Sequence, residues 1–476
     1  MSYSKLILFG FIFILFSCKV TKENTIKKTS STKKNLLFIM VDDLRPELNR
    51  YGKNRIISPN IDALATSGIS FNRAYCNVPV CGASRASLLT GIRPTSTRFL
   101  RFDASIKKEA HEVLNLVQHL KKEGYTTVSN NKITHLKNDI EDWDEEWYPF
   151  IKGWRNYISE ENIKLEEEGN HGFAYESPNV EDDVYNDGKT ANKSIEDLKQ
   201  LKAAGNPFFL AVGFVKPHLP FNAPKKYWDL YDRNTIMQPQ NYNYIPADAP
   251  KMSISNWSEM RSYSNIPKQG QVSDSLAIDL IHGYYATVSY TDALIGKILN
   301  ELKEQELDKN TVVIFVSDHG YNLQEHTQWT KFTNYNTSTQ VPLIIYNPLS
   351  KSKGTTNALT ALVDVYPTLA EICEIEIPKK QLDGTSLVSI LNNPNLEGKK
   401  HVFIKKGNGF TLKTRDFSYT EFIKSKDNSI MARMLYDHRA TKIENVNIVN
   451  QKEFKNTVSE LNLILHSDYQ KNIEGY

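Results

Sequence analysis

Three apolar runs constrain the fold of this chain more than any other feature: Asn35–Val41, 207–215 and Thr311–Ser317. A strand that is apolar at successive positions has no face to offer water. Such runs belong in a parallel sheet covered on both sides. Around them lie helical patterns at 61–67, 111–123 and 190–204, ended by Gly68, Gly124 and Gly205, and a longer one at 276–307 with a break expected near Gly296. Glycine just past a periodic segment is a common helix stop. Further strands at 69–75 and 341–346 and a helix at 362–373 fill out an α/β domain, its large central, mostly parallel sheet flanked by helices. From His401 the pattern changes to short strands at 402–405, 411–414 and 417–422, a hairpin at 432–437 and a helix near 459–465, which predict a small antiparallel sheet. Residues 136–190 and 222–275 lack periodicity and read as loops. Trp143, Trp147, Tyr148 and Trp154, in the first of these, have the shape to stack on sugar rings, though core packing is the plainer reading of each.

Each of the three runs ends in side chains that carry chemistry. The first is followed by Asp42-Asp43, the second by Lys216-Pro217-His218 and the third by Asp318-His319-Gly320. Ligands of open α/β sheets bind at the carboxyl ends of the strands. Adjacent carboxylates repel each other and favour a cation between them, and oxygen donors suit calcium or magnesium. A solvated turn before Pro46 is the alternative for Asp42-Asp43 alone. Pro217 fixes the backbone between Lys216 and His218, so both are presented in set directions. Together the three ends describe a metal-assisted hydrolase with a cationic pocket.

A fourth stretch, Val80-Cys81-Gly82-Ala83-Ser84-Arg85 through Thr90-Gly91, places a cysteine at the start of a helix-forming run. The unpaired N–H groups and the positive dipole end there favour an anion, and Arg85 falls one turn on. Two other readings stand beside this one: a buried structural cysteine, and a Cys76–Cys81 disulfide, which would tie up the thiol.

This stretch resembles the type I sulfatase signature, Cys-x-(Pro or Ala)-x-Arg followed by Thr-Gly. Tyr125 to His135 resembles the family's Gly-Tyr-x-Thr strand and Gly-Lys-x-x-His turn, with Asn131 in place of the glycine; asparagine also tolerates a left-handed backbone. The Lys216-Pro217-His218 and Asp318-His319-Gly320 runs are similar to those of the iduronate-2-sulfatase-like branch. Residues 432–437 resemble a further family hairpin, with Met434 replacing its acid.

The resemblance implies an alkaline-phosphatase-like fold and a sulfuric ester hydrolase acting on a sulfated oligo- or polysaccharide. It implies that Cys81 is oxidised to Cα-formylglycine by a formylglycine-generating enzyme. Calcium, with magnesium as the alternative, would be held by Asp42, Asp43, residue 81, Asp318 and His319. His319 is the ligand that calcium chemistry favours least, since nitrogen is the softer donor. Arg85, Lys132 and Lys331 would clamp sulfate, His218 would give a proton to the leaving oxygen, and His135 would take one from the aldehyde hydrate. Lys216 is a further candidate substrate contact. The rival activities are phosphonate or phosphodiester hydrolysis by the same superfamily and glycan binding without turnover.

The amino terminus reads as targeting, not fold. Lys5 precedes a short apolar run, and Leu15-Phe16-Ser17-Cys18 resembles a bacterial lipobox, which implies a signal peptide over 1–17, lipid on Cys18 and attachment to a membrane of the bacterial cell envelope. Residues 18–34, rich in Lys, Thr and Ser, read as a tether. The catalytic domain is expected over 35–395 and the C-terminal subdomain over 396–476. A net charge of +3 gives no general attraction to nucleic acid.

Overall fold

The run Asn35–Val41 forms strand β1 and is buried at every position. It lies at the middle of the computed structural model of the chain, which describes residues 33–149, 153–424, 426–439, 441 and 443–474. The signal peptide and lipidated Cys18 expected from the sequence lie outside the described residues, as does nearly all of the tether. In chain order there follow α1 (Pro59–Ser67), β2 (Ile69–Phe71), α2 (Cys81–Thr90), α3 (Leu116–Lys122), β3 (Thr126–Asn131), β4 (Glu145–Trp147) and α4 (Asn186–Ala204). Then come β5 (Phe208–Phe214), α5 (Asp274–Glu304), β6 (Thr311–Ser317), β7 (Leu343–Tyr346), β8 (Gly354–Thr356) and α6 (Val365–Ile372). Last are β9 (Val402–Lys406), β10 (Gly409–Lys413), β11 (Phe417–Ile423), β12 (Ile430–Asp437) and α7 (Lys455–Glu474).

Strands β1 to β8 form one sheet in the order β8-β2-β7-β6-β1-β5-β3-β4. All pairs are parallel except the two made by β7. Alternation along β1 explains the layers. Leu37, Ile39 and Val41 face a core that includes Ile61 of α1, Leu198 of α4 and Leu280 of α5, whereas Leu36, Phe38 and Met40 face one that includes Leu89 of α2, Leu120 of α3 and Leu369 of α6. Helices therefore cover both faces. Burying each such aliphatic side chain contributes about 1.5–3 kcal/mol. Strands β9 to β12 form a separate antiparallel sheet packed by α7.

Several expectations needed correction. The 111–123 helix begins only at Leu116, because Asn115 and Gln118 form a reciprocal cap that starts it there. The 69–75 strand is two pieces: Ile69–Phe71 joins the main sheet, while Ala74–Tyr75 pairs elsewhere. Helix α5 runs through Gly296 unbroken; a Cβ there would lie 2.4 Å from the side chain of Asn60, so this glycine serves close packing rather than a break. Cys76 and Cys81 are both free thiols, which removes the disulfide reading. Trp143 stacks on Phe209 in the core, its ring 5.7 Å away, as the plainer reading had it.

Candidate active site

Parallel register explains why distant segments meet. Val41 pairs with Phe214 on one side and Ser317 on the other, and Asn131 pairs with Gly213. The residues just beyond these, Asp42, Lys132, Val215 and Asp318, therefore emerge at one edge of the sheet. Several backbone features keep the approach close. Asn131 has φ +64°, the left-handed conformation that asparagine tolerates. A Cβ on Gly213 would sit 2.1 Å from the Lys132 carbonyl oxygen. Asp43 also has φ +62°, and its carbonyl accepts from Tyr284 Oη at 2.8 Å. Aspartate, like asparagine, tolerates this conformation, and the buried tyrosine holds it there.

Helix α2 brings Cys81 to the same edge. All ten of its residues are buried, and Cys81 is its first. A Cβ on Gly82 would fall 1.9 Å from the Phe102 carbonyl oxygen and 3.2 Å from His135 Cβ, so the residue after the cysteine has room for hydrogen only. Asp42, Asp43, Cys81 and His319 each place a ligand atom within 4.8 Å of the others, and all four are buried. His319 Nε2 lies 3.2 Å from Cys81 Sγ. Its Nδ1 faces the Gly320 carbonyl at 2.9 Å and so carries the proton, leaving Nε2 as the lone-pair donor. Asp42 Oδ1 and Asp43 Oδ1 are buried without a hydrogen-bond partner. Orphaned carboxylate oxygens beside an imidazole lone pair fit a divalent cation.

Asp318 adjoins this group, with Oδ1 3.7 Å from His319 Nε2. Its Oδ1 accepts from the N–H groups of Asp43 and His319, and its Oδ2 from Arg85 Nε at 2.8 Å. Arg85 is wholly buried; its Nη1 donates to the Lys132 carbonyl and its Nη2 lies 3.7 Å from Asp42 Oδ1. The guanidinium thus ties the ends of three strands together.

Four more cations or imidazoles surround the acids. Lys132 Nζ pairs with Asp42 Oδ2. Lys331 Nζ is 3.1 Å from Asp43 Oδ2. His218 Nε2 is 3.9 Å from the same oxygen, and its Nδ1 donates to the Leu219 carbonyl at 2.6 Å. Trp154 meets the His218 ring edge-on at 5.0 Å. His135 flanks Gly82, with Phe102 against its ring at 5.8 Å. Lys216 is different: Nζ donates to the carbonyls of His218 and Pro220, so its ammonium braces the turn that presents His218. His326 lies against Asn241 and Tyr335, a structural place.

Burial and charge set the protonation states. Burial opposes ionisation of Asp42, but Lys132 and Arg85 outweigh it and hold the carboxyl well below its usual range. Burial raises Asp43 to about 7, against the pull of Lys331. Burial, with Asp42 beside it, pushes the Cys81 thiol far up. Burial and Lys132 bring His135 down to about 3. An unactivated thiol next to two acids, one held ionised and one near neutrality, is the reverse of a cysteine nucleophile.

Glu259 completes the site and escaped sequence reading. Its carboxylate pairs with His218 Nε2 at 2.8 Å and with Lys331 Nζ at 2.8 Å. It comes from the aperiodic segment 222–275, where nothing in the sequence marks one acid among several.

The family model described as Sulfatase matches residues 34–375. The chain belongs to the sulfatase family. A second model, N-sulphoglucosamine sulphohydrolase, C-terminal, matches residues 324–471 of this sulfatase. Iduronate 2-sulfatase of Mus musculus is 29% identical over 412 residues, covering 78% of this chain and 74% of the relative. Among solved structures, one in complex with D-glucosamine-2-N,6-O-disulfate superposes with a TM-score of 0.74 at 21% identity, covering 93% and 99% of the two chains. A phosphonate monoester hydrolase from Silicibacter pomeroyi superposes at 0.76 and 21% identity, covering 92% and 96%. At that identity the two structures establish the fold, which is the alkaline-phosphatase-like sulfatase fold. This sulfatase is a sulfuric ester hydrolase.

Proposed function

We propose that this sulfatase hydrolyses sulfate esters of a sulfated carbohydrate, with Cys81 converted to Cα-formylglycine and a calcium or magnesium ion beside it. One observation carries the reading: the ligand atoms of Asp42, Asp43, Cys81 and His319 lie within 4.8 Å of one another, with Arg85, Lys132, His218 and Lys331 around them. The carbohydrate class is supported by the mouse relative, which is named for iduronate 2-sulfate, and by the sulfated glucosamine bound in a fold neighbour.

Asp42, Asp43, Asp318 and His319 would hold the cation. Together the converted residue and the cation would supply a hydroxyl nucleophile and withdraw charge from sulfur. Lys132 and Lys331 neutralise the sulfate oxygens as charge builds on them. Arg85 holds Asp318 and the Lys132 carbonyl in place. His218, its Nδ1 fixed on Leu219, gives a proton from Nε2 to the leaving sugar oxygen in its imidazolium form, which burial and Lys331 oppose and the Glu259 carboxylate favours. His135, neutral at working pH because burial and Lys132 lower its pKa, takes a proton when sulfate is released.

The lipobox-like Leu15–Cys18 supports a lipid anchor at the bacterial cell envelope, where extracellular polysaccharide is met, and Cys81 requires a formylglycine-generating enzyme as partner. The change in pattern after about residue 395 supports a catalytic domain over 35–395 and a C-terminal subdomain over 396–476. The test has two parts: the mass of the peptide containing residue 81 after co-expression with that enzyme, and sulfate release from a panel of sulfated oligosaccharides with a phosphodiester as comparison. A converted protein that cleaves only the phosphodiester would overturn the reading.

A further inference from the structure

Two of the groups assigned to an incoming anion, Lys331 and His218, are already engaged by one side chain of the protein. Lys331 Nζ contacts Asp43 Oδ2 at 3.1 Å, Glu259 Oε1 at 3.0 Å and Glu259 Oε2 at 2.8 Å. An ammonium has three hydrogens; Asp43 Oδ2 and Glu259 Oε1 take two of them, and Glu259 Oε2 is an ion-pair contact without a hydrogen bond. His218 has Nδ1 on the Leu219 carbonyl and Nε2 2.8 Å from Glu259 Oε1. While Glu259 stays where it is, its carboxylate holds His218 Nε2 and one Lys331 hydrogen in the place of a sulfate oxygen.

Glu259 is also the member of this cluster placed to move. Its side chain is 23% exposed, against 1% for Lys331 and 7% for His218. Its backbone is pinned on both sides. Trp257 and Met260 are buried, and the Arg261 guanidinium lies 3.5 Å over the Trp257 ring while donating to the carbonyls of Pro267 and Gly270. With the backbone held, release of these donors would fall to rotation of the Glu259 side chain alone. Lys331 keeps its ion pair with Asp43 Oδ2 when Glu259 leaves, so the exchange does not strand a buried cation.

We propose that the Glu259 carboxylate is an internal occupant of the anion site: it takes the donors of His218 and Lys331 that a sulfate ester needs, and substrate binds by exchange with it. The inference rests on the assignment of those two residues to sulfate under the proposed function. Its consequence is weak retention of inorganic sulfate, since the product competes with a carboxylate held on the same loop.

The experiment is calorimetric titration of the full-length, metal-loaded protein with inorganic sulfate, for wild type, Glu259→Gln and Asp103→Asn. Asp103 is an exposed acid paired with Arg101 in the loop beside His135, and it controls for the general loss of one negative charge. Glu259→Gln is expected to bind sulfate at least about five-fold tighter and Asp103→Asn to stay within about two-fold of wild type. Should Glu259→Gln fail to fold, Glu259→Asp, which keeps the charge but shortens the reach, is expected to tighten binding in the same direction. Unchanged or weaker binding in the Glu259 variants, with sulfate still bound by wild type, overturns this inference alone. Absence of sulfate binding in all the proteins overturns it together with the sulfate-site assignment beneath it.

Discussion

His319 Nε2 lies 3.2 Å from Cys81 Sγ across 238 residues of sequence. The contact exists because β1 and β6 pair in register and α2 starts beneath their carboxyl ends. It puts the residue proposed for oxidation within reach of the acids that would hold a cation.

Cys81→Ser removes the sulfur that conversion requires. In a host that converts only cysteine, turnover is expected to fall by about 10³-fold or more, because an unconverted serine cannot form the aldehyde hydrate that the proposed reaction uses. Steady-state rates and the mass of the residue-81 peptide check this, and full activity in the unconverted Cys81→Ser variant is the contrary result.

Metal removal should cost stability as well as activity. Without a cation, Asp42 Oδ1 and Asp43 Oδ1 stay buried and unpartnered. Chelation is expected to lower Tm by roughly several degrees, and added calcium or magnesium to restore it. Scanning calorimetry with and without chelator is the measurement; an unchanged Tm would count against a resident ion.

His218→Ala is expected to discriminate between leaving groups. A sugar alkoxide needs a proton and a nitrophenolate does not, so the loss should be about 10²-fold or more on a sulfated sugar and much smaller on a nitrophenyl sulfate. Equal losses on both would remove His218 as the donor and leave it a binding residue.

His135 supplies the pH test. Burial and Lys132 lower its folded pKa from the ordinary 6.5 to about 3. Between these values the unfolded chain binds a proton that the folded chain refuses, so stability is lost as pH falls from 6.5 toward 3. His135→Gln is expected to flatten the acid limb of a Tm-against-pH curve in that window. A limb of unchanged slope would show that other groups set the acid sensitivity.

The strands and the signature were legible because they are local. Apolar continuity over 35–41, 207–215 and 311–317 is a property of neighbouring residues, as is the Cys81 to Arg85 spacing. The helix start at Asn115 was legible in principle, since asparagine followed three residues later by glutamine is a capping pair, but the apolar period before it was the louder signal. The role of Gly296 was not, because a break and a close contact with Asn60 leave the same mark in sequence.

The sequence by itself determined that buried strands would end in acids, lysines and histidines, and that a cysteine would head a helix with an arginine one turn on. These follow from periodicities of about 2 and 3.6 and from steric limits on single residues. Only the tertiary structure decided which of those side chains meet. Parallel register joined Asp42, Lys132 and Asp318 at one edge, while loop packing turned Lys216 toward the carbonyls of its own loop and brought Glu259 from an aperiodic segment onto His218 and Lys331. Contacts between segments far apart in the chain depend on pairing and loop packing that no local window contains.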